Sequence, residues 1–207
     1  EVRAACNDHG ALLIFDEIPT GLGKTGRMFA CEHDDVAPDI LVMGKALGGG
    51  ILPIAAVLAR ADLDVAERYA IGHYTHEKNP VTARAGLTTI AIIEEEGLVE
   101  NAAALGARAL DRLEQMKSEH AVIGDVRGRG FLFGVDLVLS REGKEPAADL
   151  AEAVFYRCLD KGLSFKITMG NVLTFTPPLI LTEAQLDEAL AIIDDSLREA
   201  SRALGLT

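Results

Sequence analysis

A lysine and an aspartate, each placed directly after an apolar run, are the residues of this sequence best suited to carry chemistry. Lys45 follows Ile-Leu-Val-Met at residues 40–43 and lies in the sequence Gly-Lys-Ala-Leu-Gly-Gly-Gly at residues 44–50. A lysine that forms an imine with an aldehyde needs a fixed stem, room for a planar ligand and dry surroundings that keep its amine neutral. The alternative for this stretch alone is a surface lysine at a corner between a strand and a loop.

The aspartate, Asp16, ends the continuous apolar run of residues 11–15. A run that is apolar on both faces predicts a strand at the centre of a parallel sheet covered by helices, and α/β sheets place ligand groups at the carboxyl ends of such strands. A turn or helix-capping aspartate is the alternative. Neighbouring parallel strands would bring Asp16 and Lys45 to one edge. An amine that forms an imine and a carboxylate that keeps a pyridine nitrogen protonated are what pyridoxal phosphate chemistry needs.

The elements that must position these residues follow from periodicity and from turn residues. The first ten residues lack an initiator methionine and predict the end of a helix that leads into a strand, which favours part of a longer polypeptide. We expect a capping box at Thr182 and Gln185 to begin the last helix. The predicted elements are a short helix at 28–33, strands at 40–43 and 51–58, helices at 61–69, 81–93 and 98–117, strands within 122–137, a helix at 147–161, strands at 163–167 and 172–175, and a helix at 183–203.

This order predicts an α/β protein with two domains, residues 1–97 and 98–207, the second an α+β domain entered through a long helix. The glycines at 21, 23 and 26 have the spacing of a dinucleotide loop but not its strand–turn–helix context, so we discount that interpretation.

Composition excludes several function classes. The 207 residues are 49% hydrophobic, which predicts a substantial core, and the net charge of −12 argues against nucleic-acid binding. Three distant cysteines form neither a disulfide framework nor a metal spacing, so a reducing, cytoplasmic location is expected. No apolar run approaches the ~20 residues of a membrane helix. His73 and His76 flank Thr75 without a third ligand, so we expect hydrogen-bonding groups and no metal.

Several motifs, in order, resemble the signature of class III aminotransferases, the ω-amino acid type of fold type I pyridoxal phosphate enzymes. They are Asp-Glu-Ile-Pro-Thr-Gly-Leu-Gly-Lys-Thr-Gly-Arg-Met-Phe-Ala at 16–30, Pro-Asp-Ile-Leu at 38–41, the lysine segment at 44–50, Asn-Pro at 79–80, Gly-Asp-Val-Arg-Gly-Arg-Gly at 124–130 and Pro-Pro-Leu at 177–179. The resemblance covers essentially the whole chain. It implies the C-terminal half of a family member: part of a large, mainly parallel-sheet domain followed by a small α+β domain.

Residue by residue, the resemblance implies that Lys45 carries the internal aldimine and that Asp16 pairs with the pyridinium nitrogen. Ile18 would pack on one face of the ring. Thr75 matches the threonine that reaches the cofactor phosphate of the neighbouring subunit, so a homodimer with shared active sites is implied. The family's phosphate loop and its stacking aromatic residue lie upstream of the segment that this chain matches.

Two positions depart from the family pattern. Pro19 stands where many members have glutamine, and Thr174 stands where many have the arginine that binds the substrate α-carboxylate in a bidentate fork. A threonine cannot supply that ion pair, which puts ordinary alternation between an amino acid and 2-oxoglutarate in doubt. Lys166, Lys78 or Arg129 could bind a substrate anion instead; a salt bridge or a solvated charge is the alternative for each.

The sequence therefore predicts a class III aminotransferase that moves an amino group from a primary amine or ω-amino acid to a keto acid, with Lys45 and Asp16 as catalytic residues. The first alternative is a lyase on the same scaffold, which would eliminate ammonia or phosphate from an aminophosphonate or an amino-alcohol phosphate. The second is a non-catalytic homologue that has kept the fold.

Overall fold

A computed structural model describes residues 1–66, 69, 72 and 75–206. The chain divides into two compact units, Glu1–Val99 (unit 1) and Glu100–Thr207 (unit 2). Among the described residues, no helix combines the length and the apolarity needed to cross a bilayer. The elements are α1 Val2–His9, β1 Ile14–Asp16, β2 Ile40–Met43, β3 Ala56–Ala59, α2 Pro80–Glu95, α3 Leu98–Glu119, β4 Ile123–Arg129, β5 Leu132–Leu137, α4 Ala148–Asp160, β6 Lys166–Thr168, β7 Val172–Phe175 and α5 Glu183–Leu204.

The sheet of unit 1 has the strand order β1-β2-β3. Strands β1 and β2 are parallel, with Ile14 opposite Ile40 and Asp16 opposite Val42. Strand β3 runs antiparallel to β2. The predicted strand at residues 40–43 is confirmed, and so is its parallel pairing with the strand that ends at Asp16.

Three predictions for unit 1 are wrong. The run at residues 11–15 is not buried on both faces: it forms a short edge strand in which Ile14 is 56% exposed. The predicted buried strand at 51–58 begins only at Ala56 and exposes Val57 and Leu58. The helix expected at 61–69 is a single 3-10 turn, Ala61–Leu63, although residues 67 and 68 lie outside the described part. Apolar runs report the tendency to be buried, whereas burial itself depends on which elements cover the strand.

Unit 2 is built on an antiparallel sheet of strand order β4-β5-β7-β6. Phe133, Val135 and Leu137 alternate with partly exposed residues along β5, so one face of the sheet is buried. Side chains of α3, α4 and α5 pack into the same core, among them Leu113, Leu150 and Leu197. The predicted strand at 172–175 and the capping box at Thr182 and Gln185 are confirmed.

Candidate active site

The parallel pairing of β1 and β2 places Asp16 and Lys45 at the same edge of the unit 1 sheet. Asp16 ends β1 opposite Val42, and Lys45 follows Val42 by three residues. The backbone N–H of Glu17 donates to the carbonyl of Val42 at 2.9 Å, which extends the pairing one residue past the strand. The two side chains therefore leave from adjacent segments at the carboxyl ends of neighbouring strands.

Lys45 is held in a tight turn with a left-handed backbone. It begins the 3-10 helix Lys45–Gly48 with a φ of 45°. A non-glycine residue in this conformation costs on the order of 1–2 kcal/mol, and such strain is found at functional sites. Lys45 is exposed, and no other described residue forms a hydrogen bond or ion pair with its amine.

Helix α2 packs against the turn that begins at Lys45. Gly86 is buried in α2, and a Cβ there would lie 3.5 Å from the carbonyl oxygen of Leu47. A Cβ at Gly49 would lie 3.1 Å from Oγ1 of Thr89. Helix α2 therefore packs against the turn that presents Lys45, at Gly86 and Thr89.

Asp16 and Ile18 are joined by a local hydrogen bond. The backbone N–H of Ile18 donates to Oδ1 of Asp16 at 3.0 Å. Within the described residues Oδ2 of Asp16 accepts no hydrogen bond, so this oxygen is open to a donor from a ligand. Ile18 is half-buried, and a Cβ built at Gly44 would lie 3.5 Å from its Cγ1. Asp16, Ile18, Gly44 and Lys45 thus form one group, called here the strand-edge cluster.

Sequence reasoning missed Glu17, which is the most enclosed carboxylate beside this cluster. Glu17 is 4% exposed. Its Oε1 accepts from the backbone N–H of Cys31 at 2.8 Å, and its Oε2 accepts from the hydroxyl of Thr20. Burial, followed by the charge of Glu17, raises the pKa of the Cys31 thiol. The only sequence signal was the acidic pair at the end of a strand, since Cys31 lies 14 residues away.

The remaining cofactor residue predicted from the sequence is Thr75. It lies exposed in a turn of unit 1. His73, the first of the two histidines that flank it, lies outside the described residues.

The candidate substrate-binding residues lie in unit 2. Lys166 is directly opposite Thr174 on neighbouring antiparallel strands, and the hydroxyls of Thr174 and Thr168 are 2.7 Å apart. Lys166 is exposed and has no ion-pair partner in the described part of the chain. Arg129 ends β4, which β5 separates from β7. The structure therefore brings Lys166 and Thr174 together and leaves Arg129 apart from them.

One group of potential metal ligands occurs in unit 2, outside the residues predicted from the sequence. Ligand atoms of Glu119, His120 and Asp194 lie within 4.8 Å of one another. Arg112 contacts both carboxylates, at 3.1 Å and 3.2 Å, and Nε2 of His120 is 2.6 Å from Asp194. These partners already satisfy the group as an ion-pair network.

The strand-edge cluster fits a planar pyridine aldehyde by its chemistry. It offers a primary amine without a described partner, a carboxylate oxygen open to a ring N–H, and the apolar side chain of Ile18, which lies against Gly44. An amine for the aldehyde and a carboxylate for the ring nitrogen are two of the groups that pyridoxal phosphate requires from a protein.

Comparison with known proteins gives relatives along the whole chain. The family model "Aminotransferase class-III" matches residues 1–197. The (R)-1-hydroxy-2-aminoethylphosphonate ammonia-lyase of Vibrio splendidus is 43% identical over 97% of this chain and 42% of that protein. The leucine/methionine racemase of Thermococcus litoralis is 45% identical over 96% of this chain and 44% of that protein. Ornithine aminotransferase 1 of Staphylococcus saprophyticus is 39% identical over 96% of this chain and 48% of that protein. This chain thus spans slightly less than half the length of these relatives.

Solved structures share this fold over nearly all of the chain. A transaminase from the marine bacterium Virgibacillus superposes with a TM-score of 0.93 at 29% identity, covering 99% of this chain and 48% of that one. The ornithine aminotransferase from Toxoplasma gondii, described with partial occupancy of PLP at its active site, gives 0.88 at 33% identity, covering 97% and 46%.

Proposed function

The chain belongs to the class III aminotransferase family and has the fold of its fold type I structures, and on that premise we propose that the whole protein is a pyridoxal phosphate-dependent transaminase. It moves an amino group from a primary amine or ω-amino acid to a keto acid. The observation that carries this proposal is the position of Asp16 and Lys45 at one edge of the β1–β2 pair, with Ile18 against the residue that precedes Lys45.

Three side chains of the strand-edge cluster have distinct tasks in this proposal. Pyridoxal phosphate, when bound, withdraws electrons from the bonds of the amine-bearing carbon. Lys45 would hold the cofactor through its amine, and the same amine would serve as the general base and acid that moves the proton at the amine-bearing carbon. Asp16 would keep the ring nitrogen protonated through Oδ2, its open oxygen. Ile18 would offer an apolar surface to the ring.

We also propose a homodimer in which Thr75 contributes to the cofactor phosphate site of the neighbouring subunit. The family resemblance of residues 72–80 supports this proposal, and so does the exposure of Thr75 in its turn.

The test is a profile of primary amines with and without a keto-acid acceptor, following free ammonia, the aminated cofactor and the configuration of the product. Transfer requires amination of the acceptor without release of ammonia. Lys45→Ala abolishes turnover and removes the site of borohydride trapping, because the Lys45 amine is the proposed point of cofactor attachment. Lys144→Ala is the matched control, since Lys144 is also exposed with a left-handed φ of 58°. Normal turnover of the Lys45 variant would end the proposal.

A second candidate, elimination of ammonia from an aminophosphonate, has its own support. Thr174 replaces the arginine expected for α-carboxylate binding, and the relative from Vibrio splendidus is a (R)-1-hydroxy-2-aminoethylphosphonate ammonia-lyase. Release of ammonia without an acceptor would favour this candidate. Inversion of a chiral amino acid with neither transfer nor release would contradict both.

We propose that Lys166 and Thr174 select the anionic end of the substrate in either reaction. The ammonium of Lys166 has no carboxylate partner among the described residues. The hydroxyls of Thr168 and Thr174 lie 2.7 Å apart, and the Thr174 hydroxyl has a second, longer bond of 3.5 Å to the Val172 carbonyl, which a stronger acceptor on a ligand would displace. A cation beside a hydroxyl donor suits a phosphonate or carboxylate group.

This role predicts that Lys166→Ala raises KM for an anionic amine about fivefold and leaves KM for a neutral amine unchanged. A single exposed charge contributes on the order of 1 kcal/mol to such binding, which corresponds to roughly that factor. Steady-state kinetics on a matched pair of substrates measures it, and Lys161→Ala, which removes a lysine paired with Glu199, is the control. An equal change for both substrates would contradict the assignment.

A further inference from the structure

We propose that Glu17 is a positioning residue. By binding Thr20 and Cys31 it holds the turn at residues 17–21 in place, and this turn orients the Asp16 carboxylate and the Ile18 side chain. This inference rests on the proposed function of the strand-edge cluster and adds to it a residue that contacts neither substrate nor cofactor. It depends only on contacts within unit 1.

The Glu17 carboxylate links two segments to the end of β1 through hydrogen bonds. One oxygen accepts a hydrogen bond from the hydroxyl of Thr20, three residues further along the turn. The other accepts from the backbone N–H of Cys31 at the start of the 3-10 helix Ala30–Asp34. A buried carboxylate that has both oxygens bonded to donors is fixed in one orientation.

The backbone of Glu17 closes the same turn. Its carbonyl accepts from the N–H of Gly21 at 2.9 Å, and a Cβ at Gly21 would lie 3.0 Å from that oxygen and 3.3 Å from Phe29. The turn at residues 17–21 is therefore compact, and it carries Ile18 in its first half.

The turn at residues 17–21 is connected directly to Asp16, the candidate catalytic carboxylate. The N–H of Ile18 donates to Oδ1 of Asp16 and so determines where Oδ2 points. The Ile18 side chain lies against Gly44, next to Lys45. Loss of the Glu17 carboxylate leaves the backbone bond from Gly21 in place but removes the acceptor of the Cys31 N–H and of the Thr20 hydroxyl. The turn is then no longer held to the Cys31 segment, and the Asp16 carboxylate and the Ile18 side chain can shift.

Two variants separate positioning from charge. In Glu17→Ala both hydrogen bonds disappear. In Glu17→Gln the amide oxygen still accepts from the Cys31 N–H, and its NH₂ group donates to the Thr20 oxygen, so the turn keeps its two ties without the charge. Glu32→Ala is the control, because Glu32 caps the same 3-10 helix through the N–H of Phe29 and has no bond to the 17–21 turn.

The experiment uses the holoenzyme and measures cofactor affinity, the pH at which the visible band of the bound cofactor titrates, kcat and KM. We expect Glu17→Ala to weaken cofactor binding and to lower kcat by about 10- to 100-fold, to shift the band's titration, and still to be trapped at Lys45 by borohydride. Glu17→Gln should stay within about threefold of the wild type, and Glu32→Ala should lose thermal stability without a spectral change.

Two results would overturn the inference. If Glu17→Ala loses only thermal stability, as Glu32→Ala does, Glu17 is purely structural. If Glu17→Gln is as defective as Glu17→Ala, the charge rather than the two ties is what matters. Absence of borohydride trapping at Lys45 in the wild type would instead defeat the proposed function, so the two failures are distinguishable.

Discussion

At the scale of single residues, Asp39 sets the register on which the candidate site depends. It directly precedes β2 and is 4% exposed. Its Oδ2 accepts from the N–H of Leu13, before β1, at 2.7 Å, and Arg3 and Arg60 also bind its carboxylate. The carboxylate thus ties the starts of the two strands whose opposite ends carry Asp16 and Lys45.

These donors make the stability of unit 1 depend on pH. The Leu13 N–H, followed by the Arg3 hydrogen bond, holds the pKa of Asp39 below its usual value. The folded state therefore binds fewer protons than the unfolded state, so the stabilisation is complete above the unfolded pKa of about 4 and is lost as the pH falls through the lower folded value. We predict that Asp39→Asn is less stable than the wild type at neutral pH and approaches it in acid.

Urea unfolding between neutral pH and about pH 2 measures this difference. Asp35→Asn is the control, because Asp35 is exposed and makes no side-chain bond among the described residues. A constant gap between Asp39→Asn and the wild type across the range would contradict the linkage.

At the scale of elements, helix α2 packs against the 3-10 turn that carries Lys45. Gly86 lets the helix backbone approach the turn at Lys45–Gly48, and a Cβ at this glycine would lie 3.5 Å from the Leu47 carbonyl and 3.6 Å from Ile54. Such distances are ordinary van der Waals contact, so one methyl group fits and a larger side chain does not.

We predict opposite effects for two substitutions at this position. Gly86→Ala should stabilise the protein by about 0.5–1 kcal/mol, because alanine loses less backbone entropy in a helix. Gly86→Leu should destabilise it by about 1–3 kcal/mol through overpacking and should reduce the fraction of Lys45 that borohydride traps. Denaturant unfolding and peptide mass spectrometry measure the two effects. Undiminished trapping in Gly86→Leu would show that α2 does not control the turn.

At the scale of the whole molecule, the two units differ in how well they cover their apolar side chains. Unit 2 holds the continuous core cluster, with fully buried Leu113, Val154 and Leu197. Unit 1 exposes large apolar residues on its sheet and on α2, including Ile14, Val57 and Leu87. The chain matches slightly less than half the length of its curated relatives. Within the described chain, the unit 1 sheet, which carries Lys45 at its edge, therefore has few covering elements.

The sequence by itself determined which reactive side chains are present and much of the local structure. The residue types at Asp16 and Lys45, the strands at 40–43 and 172–175 and the capping box at Thr182 could all be predicted, because each depends on neighbours within a few residues. The motifs around them were sufficient to predict the family.

Only the tertiary structure decided the rest. The exposure of Ile14 depends on which elements cover its strand. Three further features depend on how separate segments pair: the antiparallel direction of β3, the bond from Cys31 to Glu17, and the register that places Lys166 opposite Thr174. Periodicity reports which face of an element is apolar, whereas cover and register are set by non-local packing, which a single sequence does not display.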